Sequence, residues 1–329
     1  MRVLVTGGTG FLGKHVVRCL ATRGHDVRVL ARAGSDLTGL PEGTLTAPGD
    51  VTDLDSLRRA AEGCEAVLHM AALVKVWMPD PKRFDAVNVG GLRNALEAAR
   101  AASARLVYTS SFMAVGPAGR PPAGESQVHP GRPYRNAYER TKAEADAVAR
   151  AAAAAGRDVV LLYPGVVYGP GDMTDGNLVA RLVTDHLNGR LPALIGPADR
   201  LWSYSFVEDV AEGHALALEK GRAGERYFLC GENRTLTELF ALVEQLTSVA
   251  APRLHIPFGV ASLLGRAMWL WAELTGLPPQ MTAGEVGVFR EHWAYSSAKA
   301  ERELGYRSRP LREGLAQTIA WLRQAGRLA

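Results

Sequence analysis

The sequence predicts an α/β fold in which a doubly wound parallel sheet is followed by a smaller, mostly helical C-terminal lobe. Short apolar runs alternate with amphipathic segments over the first half of the 329 residues, as in right-handed βαβ crossovers. After Tyr168, helical segments separated by glycine and proline replace this alternation. We therefore expect one domain over residues 1–170 and a lobe over 171–329, with segments near 205–232 returning to the first domain.

The strands are predicted by short runs rich in Val, Leu and Ile. These runs are almost continuously apolar, which is typical of parallel strands covered on both faces. They span residues 2–6, 26–31, 66–70, 105–109 and 158–163. Amphipathic segments predict the covering helices at 13–23, 56–62, 84–102 and 136–155. Later helices are expected at 177–188, 209–219, 236–247, 260–274 and 297–304.

The composition predicts an ordinary globular protein of a reducing compartment. Hydrophobic residues make up 47%, and a net charge of +4 is too small to require a nucleic-acid partner. Three distant cysteines and eight histidines show no disulfide or metal-site spacing, so we expect no metal. The first residues lack the long apolar region that is typical of a signal peptide, and the apolar stretch 258–274 contains Arg266 and Glu273. We expect no membrane span and a cytoplasmic location.

A glycine-rich loop at residues 6–13 separates the first strand from the first helix. It contains Gly-x-Gly-x-x-Gly at Gly8, Gly10 and Gly13, and a wider frame that begins at Gly7. Glycines allow a tight turn and bring the backbone close to a pyrophosphate, which then meets the N–H groups of the helix. The loop predicts a dinucleotide-binding Rossmann domain, with cofactor contacts from Gly7, Thr9, Gly10, Phe11 and Leu12.

The end of the second strand indicates the form of the cofactor. Arg32 stands about where NAD enzymes often place an acidic residue, and its guanidinium can pair with a 2′-phosphate while Ser35 adds a hydroxyl. NADP is therefore preferred, although nearby Asp36 leaves NAD possible. Small residues and a carboxylate at later strand ends are expected beside the adenine or ribose, namely Asp50, Val51, Ala71 and Ala72.

Tyr138 and Lys142 lie one helical turn apart, on one face of a predicted helix. A tyrosine of pKa ~10 is a poor acid–base group at neutral pH. An ammonium at about 4 Å, in an effective dielectric of about 20, supplies the roughly 4 kcal/mol that lowers this pKa by about three units. Ser110 and Ser111 follow the fifth strand and can hydrogen-bond a reacting carbonyl. Together these residues predict a proton-transfer site.

These motifs together resemble the extended short-chain dehydrogenase/reductase (NAD-dependent epimerase/dehydratase) family over nearly the whole chain. Within it, the sequence is most similar to the dihydroflavonol reductase-like and hopanoid-associated sugar epimerase-like group. The resemblance rests on residues 6–13, 50–51, 71–72, 88–91, 110–111, 138–142, 163–165, 168–170, 207–210 and 304–306.

The resemblance implies a role for each motif. Tyr138 is the implied general acid or base, Lys142 lowers its pKa and holds the nicotinamide ribose, and Ser111 positions the substrate. Asn88 resembles the structural asparagine of the family, and residues 164–167, with Pro164 and Val167 at their ends, are implied to line the nicotinamide pocket. The resemblance also implies a homodimer formed through the helices at 84–102 and 136–155.

The sequence departs from two branches of the family. Ser111 is followed by Phe112 and Met113 instead of the Asp-Glu pair of sugar 4,6-dehydratases. Trp202 stands where nucleotide-sugar epimerases usually carry an arginine. Together with Trp77, these side chains suit a flat or apolar substrate, and packing between the lobes is an equal alternative.

The sequence therefore predicts an NADPH-dependent carbonyl reductase of the dihydroflavonol reductase-like type, acting on a small-molecule carbonyl or alcohol. One alternative is a nucleotide-sugar epimerase that keeps its NAD tightly bound. The other is a non-catalytic NADP-binding regulator.

Overall fold

The computed structural model describes residues 1–328 of the protein. Its strands are β1 (Arg2–Thr6), β2 (Asp26–Ala31), β3 (Leu45–Pro48), β4 (Ala66–His69), β5 (Arg105–Thr109), β6 (Val159–Pro164), β7 (Val166–Tyr168), β8 (Leu194–Ile195), β9 (Trp202–Phe206), β10 (Arg226–Leu229), β11 (Asn233–Arg234) and β12 (His255–Ile256). Its helices are α1 (Phe11–Thr22), α2 (Leu54–Ala61), α3 (Lys82–Phe84), α4 (Gly91–Ala101), α5 (Ala137–Ala154), α6 (Leu178–Leu187), α7 (Val207–Lys220), α8 (Leu236–Thr247), α9 (Phe258–Thr275), α10 (Ala283–Phe289), α11 (Ala298–Leu304) and α12 (Leu311–Gln324). A π-helical turn, Asp85–Gly90, joins α3 to α4.

The main layer is a seven-stranded sheet in the order β10-β6-β5-β4-β1-β2-β3. All its neighbours pair in parallel, with Thr6 opposite both Leu30 and His69. The strand order reverses between β1 and β4, and such a switch point opens a crevice at the carboxyl ends of the strands. The predicted doubly wound Rossmann fold is confirmed.

Two apolar layers cover the sheet because successive strand residues point to opposite faces. Leu4 and Leu106 belong to one layer, which includes buried residues of α2, α4 and α5. Val5 and Val107 belong to the other, which includes buried residues of α1, α7 and α11. The almost continuous apolar character of the strands follows from this double coverage.

The C-terminal part of the chain both completes the main sheet and forms a mostly helical lobe. β10 pairs with β6 at one edge of the sheet, and α7 packs against α1. The lobe contains the small sheet β11-β9-β7, the pair β12-β8 and helices α6, α8, α9, α10 and α12. Across residues 1–328, the longest apolar helices fall short of what is needed to cross a membrane.

The sequence prediction missed strands β7 to β12 and helices α10 and α12 of the second half. Helix α12 had a readable signal, because its buried residues Leu311, Leu315, Ile319 and Leu322 repeat at helical spacing. Strand β9, in contrast, is only five residues long and carries polar serines that are nonetheless buried. Its composition alone gives little indication of a buried strand.

Candidate cofactor and active site

The turn between β1 and α1 uses the wider of the two glycine frames. Gly7 has a φ of +73°, and a Cβ at this position would lie 2.8 Å from the backbone nitrogen of Ala71. The Gly10 N–H donates to the Gly7 carbonyl at 3.0 Å, and a Cβ on Gly13 would collide with that same oxygen. Gly8 instead faces the side chain of Val29. The contacts with neighbouring backbone therefore belong to Gly7, Gly10 and Gly13, whereas a Cβ on Gly8 would meet side chains.

The first turn of α1 is suited to an anion. The N-cap residue of α1 is Gly10, and among the described residues no side-chain hydrogen bond caps this end of the helix. The first turn also contains no acidic residue. The leading N–H groups of a helix lack partners within the helix and form its positive end. Because this end lies at the switch point of the sheet, Gly7, Thr9, Gly10, Phe11 and Leu12 fit the pyrophosphate of a dinucleotide.

Thr6 fixes the strand ends beside this turn. Its Oγ1 accepts hydrogen bonds from the Met70 and Ala71 N–H groups, both at 3.2 Å, and lies 3.0 Å from His69 Nδ1. Ala71 and Ala72 are thereby held next to Gly7. His69 is fully buried, and burial together with the charge of Lys142 lowers the pKa of its imidazole to about 3. It is a core residue.

A cleft of about 580 Å³ lies where the adenosine end of a cofactor is expected. Arg32 lines it together with Arg59, a residue of α2 that the sequence analysis missed. The remaining lining residues are Ala33, Pro48, Gly49, Asp50, Asp53 and Ser56. Two guanidinium groups at one cleft provide paired donors for a phosphate.

The other residues predicted near the adenosine have distinct environments. Burial opposes ionisation of Asp50, but hydrogen bonds from Thr52 and the charge of Arg32 lower the pKa of this carboxyl. Val51 is buried in the core. Ser35 donates its backbone N–H to the Arg32 carbonyl, and its hydroxyl is not part of the cleft lining. Asp36 pairs instead with Lys14, at 3.4 Å.

The structure brings Ser111 and Tyr138 together. Ser111 follows β5, and its Oγ accepts the Met113 N–H at 3.2 Å, which starts a 3₁₀ turn over Phe112–Val115. Tyr138 lies in the first turn of α5, which is capped by the Asn136 side chain. The Ser111 hydroxyl lies near enough to Tyr138 to lower the pKa of its phenol.

Lys142 lies one turn further along α5 and is almost completely buried. Its Nζ donates to the Thr109 carbonyl at 2.9 Å and lies 5.1 Å from the centre of the Tyr108 ring. Burial lowers the pKa of this ammonium to about 7, and the charge of Asp146 only partly opposes that effect. The cation is therefore held one helical turn from Tyr138, and its burial costs hydration free energy.

The pKa of Tyr138 differs from the sequence-based prediction. We expected Lys142 to lower it, whereas burial raises it above the usual value and the nearby Ser111 hydroxyl only partly opposes the rise. The ammonium of Lys142 is hydrogen-bonded to the Thr109 carbonyl, and it is not among the groups that shift Tyr138. For this geometry the predicted direction is wrong, and the phenol stays protonated at neutral pH.

Asn88 joins the loop after β4 to helix α5. Its side chain accepts the Leu73 N–H at 2.7 Å and donates to Thr141 Oγ1 at 3.0 Å. Pro164 ends β6 opposite Leu229. Val167 lies in the neighbouring strand β7.

The four predicted substrate contacts occupy different places. Trp202 is buried in β9 and stacks on Phe289 at 5.1 Å, and Met113 is also buried, so both fit the packing alternative. Phe112 is half-buried, with its ring 5.4 Å from that of Trp293. Trp77 lies at the surface and donates through its indole N–H to Glu273 of α9 at 2.8 Å. Within residues 1–328, no group of three His, Cys, Asp or Glu side chains is arranged to hold a metal ion.

A model of the NAD dependent epimerase/dehydratase family matches residues 3–230, which include the glycine loop, Ser111, Tyr138 and Lys142. The chain belongs to this family. It is an NAD(P)-dependent oxidoreductase of the extended short-chain dehydrogenase/reductase type, as the sequence predicted.

Relatives of this epimerase/dehydratase-family protein match it over almost its full length. It is 35% identical to sterol demethylase protein B of Methylococcus capsulatus, with 99% of each chain covered. It is 32% identical to a Synechocystis protein named as a dihydroflavonol 4-reductase, over 98% of this chain and 94% of that one. The structure of UDP-glucose 4-epimerase from Thermus thermophilus, in complex with NAD, matches with a TM-score of 0.77 and 28% identity, over 99% of this chain and 100% of that one.

Proposed function

We propose that the protein is an NADPH-dependent carbonyl reductase with a largely apolar ketone as substrate. The observation that carries this proposal is the proximity of Ser111, at the end of β5, to Tyr138, with buried Lys142 one helical turn further along α5. The bound cofactor would supply a hydride. The residues of the chain bind the two reactants, orient the ketone and provide the proton.

Each of the three side chains has a distinct task in this proposal. The Ser111 and Tyr138 hydroxyls donate hydrogen bonds to the carbonyl oxygen, and Tyr138 then transfers its proton to that oxygen. The raised pKa of Tyr138 supports the reductive direction, because a general acid must be protonated beforehand. Lys142, oriented by the Thr109 carbonyl, holds the nicotinamide ribose.

The preference for NADP over NAD is supported by the charges at the adenosine cleft. Arg32 and Arg59 both line it, so a 2′-phosphate would meet two guanidinium groups. Asp36 is the residue that made NAD a possible cofactor in the sequence analysis. Its carboxylate pairs with Lys14 and accepts a hydrogen bond from the Thr38 hydroxyl at 2.6 Å. A ribose hydroxyl would have to compete with both partners for this carboxylate.

An apolar, flat substrate is supported by the surroundings of Ser111 and by two relatives. Phe112, next to Ser111, is half-buried among the aromatic rings of Trp293 and Tyr295. The names of two relatives refer to a sterol and to a dihydroflavonol, which are both polycyclic molecules. An aromatic wall favours such molecules over a charged sugar nucleotide.

The rival function is a sugar epimerase, which the likeness to UDP-glucose 4-epimerase favours. Such an enzyme regenerates its cofactor in each cycle, so NAD would remain bound through purification. A nucleotide-sugar epimerase also needs side chains that bind the diphosphate of its substrate. Here Trp202 is buried, and Arg200 lies 3.4 Å from His292 and 3.7 Å from Asp199. The nucleotide released by denaturing the purified protein distinguishes the two functions.

Replacement of Tyr138 by Phe tests the catalytic proposal. The substitution removes only the hydroxyl, so kcat for NADPH-dependent ketone reduction should fall at least about 100-fold while the Kd for NADPH stays unchanged. Tyr134→Phe is the matched control, because Tyr134 packs on His129 outside the Ser-Tyr pair. Retention of more than about a tenth of the activity by Tyr138→Phe would remove Tyr138 from the mechanism.

Replacement of Arg32 and Arg59 by Ala tests the cofactor preference. Each loss of a guanidinium should raise the Kd for NADPH by about 10-fold and leave the Kd for NADH nearly unchanged. Arg58→Ala is the control, since Arg58 pairs with Glu97 on the other side of α2. Equal weakening of both cofactors would contradict NADP selection by these residues.

We also propose a homodimer formed through α4 and α5. The solvent side of α5 carries exposed Ala147, Ala151 and Ala154, and small residues allow close helix approach. Ala151→Arg should convert a dimer into a monomer in light-scattering measurements. An unchanged molar mass would place the interface elsewhere.

A further inference from the structure

Helix α9 presents a continuous apolar face to solvent. The side chains of Leu263, Leu270, Trp271 and Leu274 are 68%, 55%, 63% and 75% exposed. At 3.6 residues per turn they share one side of the helix with three further apolar residues. We call this surface the α9 face; it comprises Val260, Leu263, Leu264, Ala267, Leu270, Trp271 and Leu274.

The opposite side of α9 explains why the large residues face outward. It buries only Ala261, Gly265 and Ala272, and a Cβ added to Gly265 would lie 2.6 Å from the Ala283 backbone nitrogen. The helix is therefore packed closely on α10 through its smallest side chains. The exposed leucines are not residues of an incomplete core, because the helix is already docked by its other side.

The charges around the α9 face are mostly positive. The face itself contains no charged residue, and two exposed arginines border it: Arg266 on the helix itself and Arg290, which contacts Phe258 and Ser262. Arg290 lies 4.9 Å from the centre of the Phe258 ring, at the start of the helix. The single acidic residue of α9, Glu273, accepts the indole N–H of Trp77. An apolar surface with a basic margin complements an anionic lipid surface.

The α9 face lies close to the candidate active site. Trp77, which binds Glu273, belongs to the loop after β4, where Val74 and Val76 are also exposed. On its other side, α9 packs on α10, and Gly284 of α10 lies directly against the backbone of Arg135. Arg135 comes three residues before Tyr138. The loop and helix that border the face are thus the same elements that border the site.

We propose that the α9 face binds the surface of an anionic membrane, with the helix lying in the lipid headgroup region. Leucines and Trp271 would enter the apolar boundary while the flanking arginines meet lipid phosphates. A second copy of the chain fits less well, because symmetric pairing of the face would bring the same arginine-rich margin against itself. The inference goes beyond the proposed reductase activity and does not depend on it.

Vesicle co-sedimentation of the full-length protein tests this proposal. The protein should bind vesicles of phosphatidylcholine with about 30 mol% phosphatidylglycerol, and bind pure phosphatidylcholine more weakly. The triple variant Leu263→Glu/Leu270→Glu/Leu274→Glu should lose at least about 10-fold in vesicle affinity. A control variant, Leu37→Glu/Leu45→Glu/Val128→Glu, introduces the same charge at apolar residues elsewhere that are 43%, 45% and 44% exposed, and should bind like the parent.

Three results would overturn the proposal. The first is a parent protein that does not bind anionic vesicles, and the second is a triple α9 variant that binds them as the parent does. The third is a triple variant that loses an oligomer in light scattering while the parent ignores vesicles, which would identify a second copy as the occupant. Reduction of a water-soluble ketone, measured in parallel, separates these results from a failure of the reductase proposal.

Discussion

Helices α5 and α9 have the same length of 18 residues, but they distribute charged and apolar side chains between the interior and the surface in opposite ways. α5 buries three ionisable side chains, Glu139, Lys142 and Asp146, against the sheet and its loops. α9 exposes most of its large apolar side chains to solvent. Each helix therefore departs from the ordinary distribution, in which charges are exposed and large apolar groups are buried.

The comparison teaches that both departures cost free energy and that each coincides with a place where we propose that another molecule binds. A buried ammonium loses hydration, and an exposed leucine orders water without gaining a contact. The buried charges of α5 belong to the helix that carries Tyr138, and the large apolar residues of α9 are exposed to solvent. The following predictions test whether the buried charges of α5 and the exposed apolar residues of α9 are needed for activity and binding or for the stability of the fold.

The largest expected effect is that of Lys142→Met, which keeps the volume of the side chain and removes its charge. We expect kcat to fall at least about 100-fold, while the free energy of unfolding at pH 6 rises by a few kcal/mol. The gain arises because burial penalises the ammonium in the folded state. Chemical denaturation and ketone reduction measure the two effects, and Lys82→Met, at an exposed lysine, serves as the control.

The stability difference between Lys142→Met and the parent should depend on pH in a direction that follows from the pKa of Lys142. The pKa of Lys142 is about 7 in the folded protein, below the ordinary 10.5. Between these values the unfolded chain holds a proton that the folded protein releases, so the stability of the parent rises with pH. The advantage of Lys142→Met should therefore be complete below pH 7 and vanish above 10.5. A constant advantage across this range would show that Lys142 is not desolvated.

Glu139→Gln tests a buried charge on α5 that, unlike Lys142, has charged partners. Glu139 accepts hydrogen bonds from the Arg135 backbone and guanidinium, both at 2.6 Å, and lies 3.0 Å from His129. The substitution leaves buried partners without their counter-charge, so we expect a loss of about 3 kcal/mol in unfolding free energy. Glu144→Gln, at a partly exposed carboxylate on the same helix, should cost less than about 1 kcal/mol. Equal losses would contradict the role of burial.

The buried carboxylate of Glu139 predicts a stabilising contribution that is lost as the pH falls, whereas Lys142 predicts a destabilising one that is lost as the pH rises. Burial opposes ionisation of Glu139, yet His129 and Arg135 lower the pKa of this carboxyl below its ordinary value of 4.5. Its stabilising contribution should therefore be complete above that value and disappear as the pH falls through the lowered pKa. Acid denaturation of Glu139→Gln should accordingly be less steep than that of the parent.

The smallest effect is expected on the α9 face. Leu270→Ala should change the unfolding free energy by less than about 0.5 kcal/mol, because the side chain has little packing to lose. Leu92→Ala, which removes a fully buried leucine of α4, should cost roughly 2–5 kcal/mol. Urea denaturation measures both. A cost for Leu270 close to that for Leu92 would mean that another part of the protein covers the face.

Local patterns predicted the first half of the molecule well. The glycine loop, the strand runs and the Tyr-Lys spacing depend on neighbours in sequence, so the sheet and the positions of Ser111, Tyr138 and Lys142 relative to their elements could be read directly. The resemblance to the family then supplied their roles. The seven-stranded parallel sheet confirms the fold, and the family match confirms the enzyme class.

Features that depend on contacts between distant residues were not predictable. Arg59 reaches the adenosine cleft only because α2 packs beside β2 and β3. The pKa of Tyr138 depends on how deeply the folded chain buries it and on where the Lys142 ammonium points. Trp202 was equally a substrate contact or a packing residue by sequence, and its stacking on Phe289 places it in the interior.

The pairing of β10 with β6 has a consequence for synthesis on the ribosome. Strand β6 ends at Pro164, and its edge partner, β10, begins only at Arg226. A nascent chain must therefore emerge some sixty residues further, at about 5–20 residues per second, before that edge is covered. During this interval of several seconds, an apolar strand with unpaired peptide groups is open to other chains. The yield of folded protein should thus be sensitive to translation rate and to chaperones that shield β6.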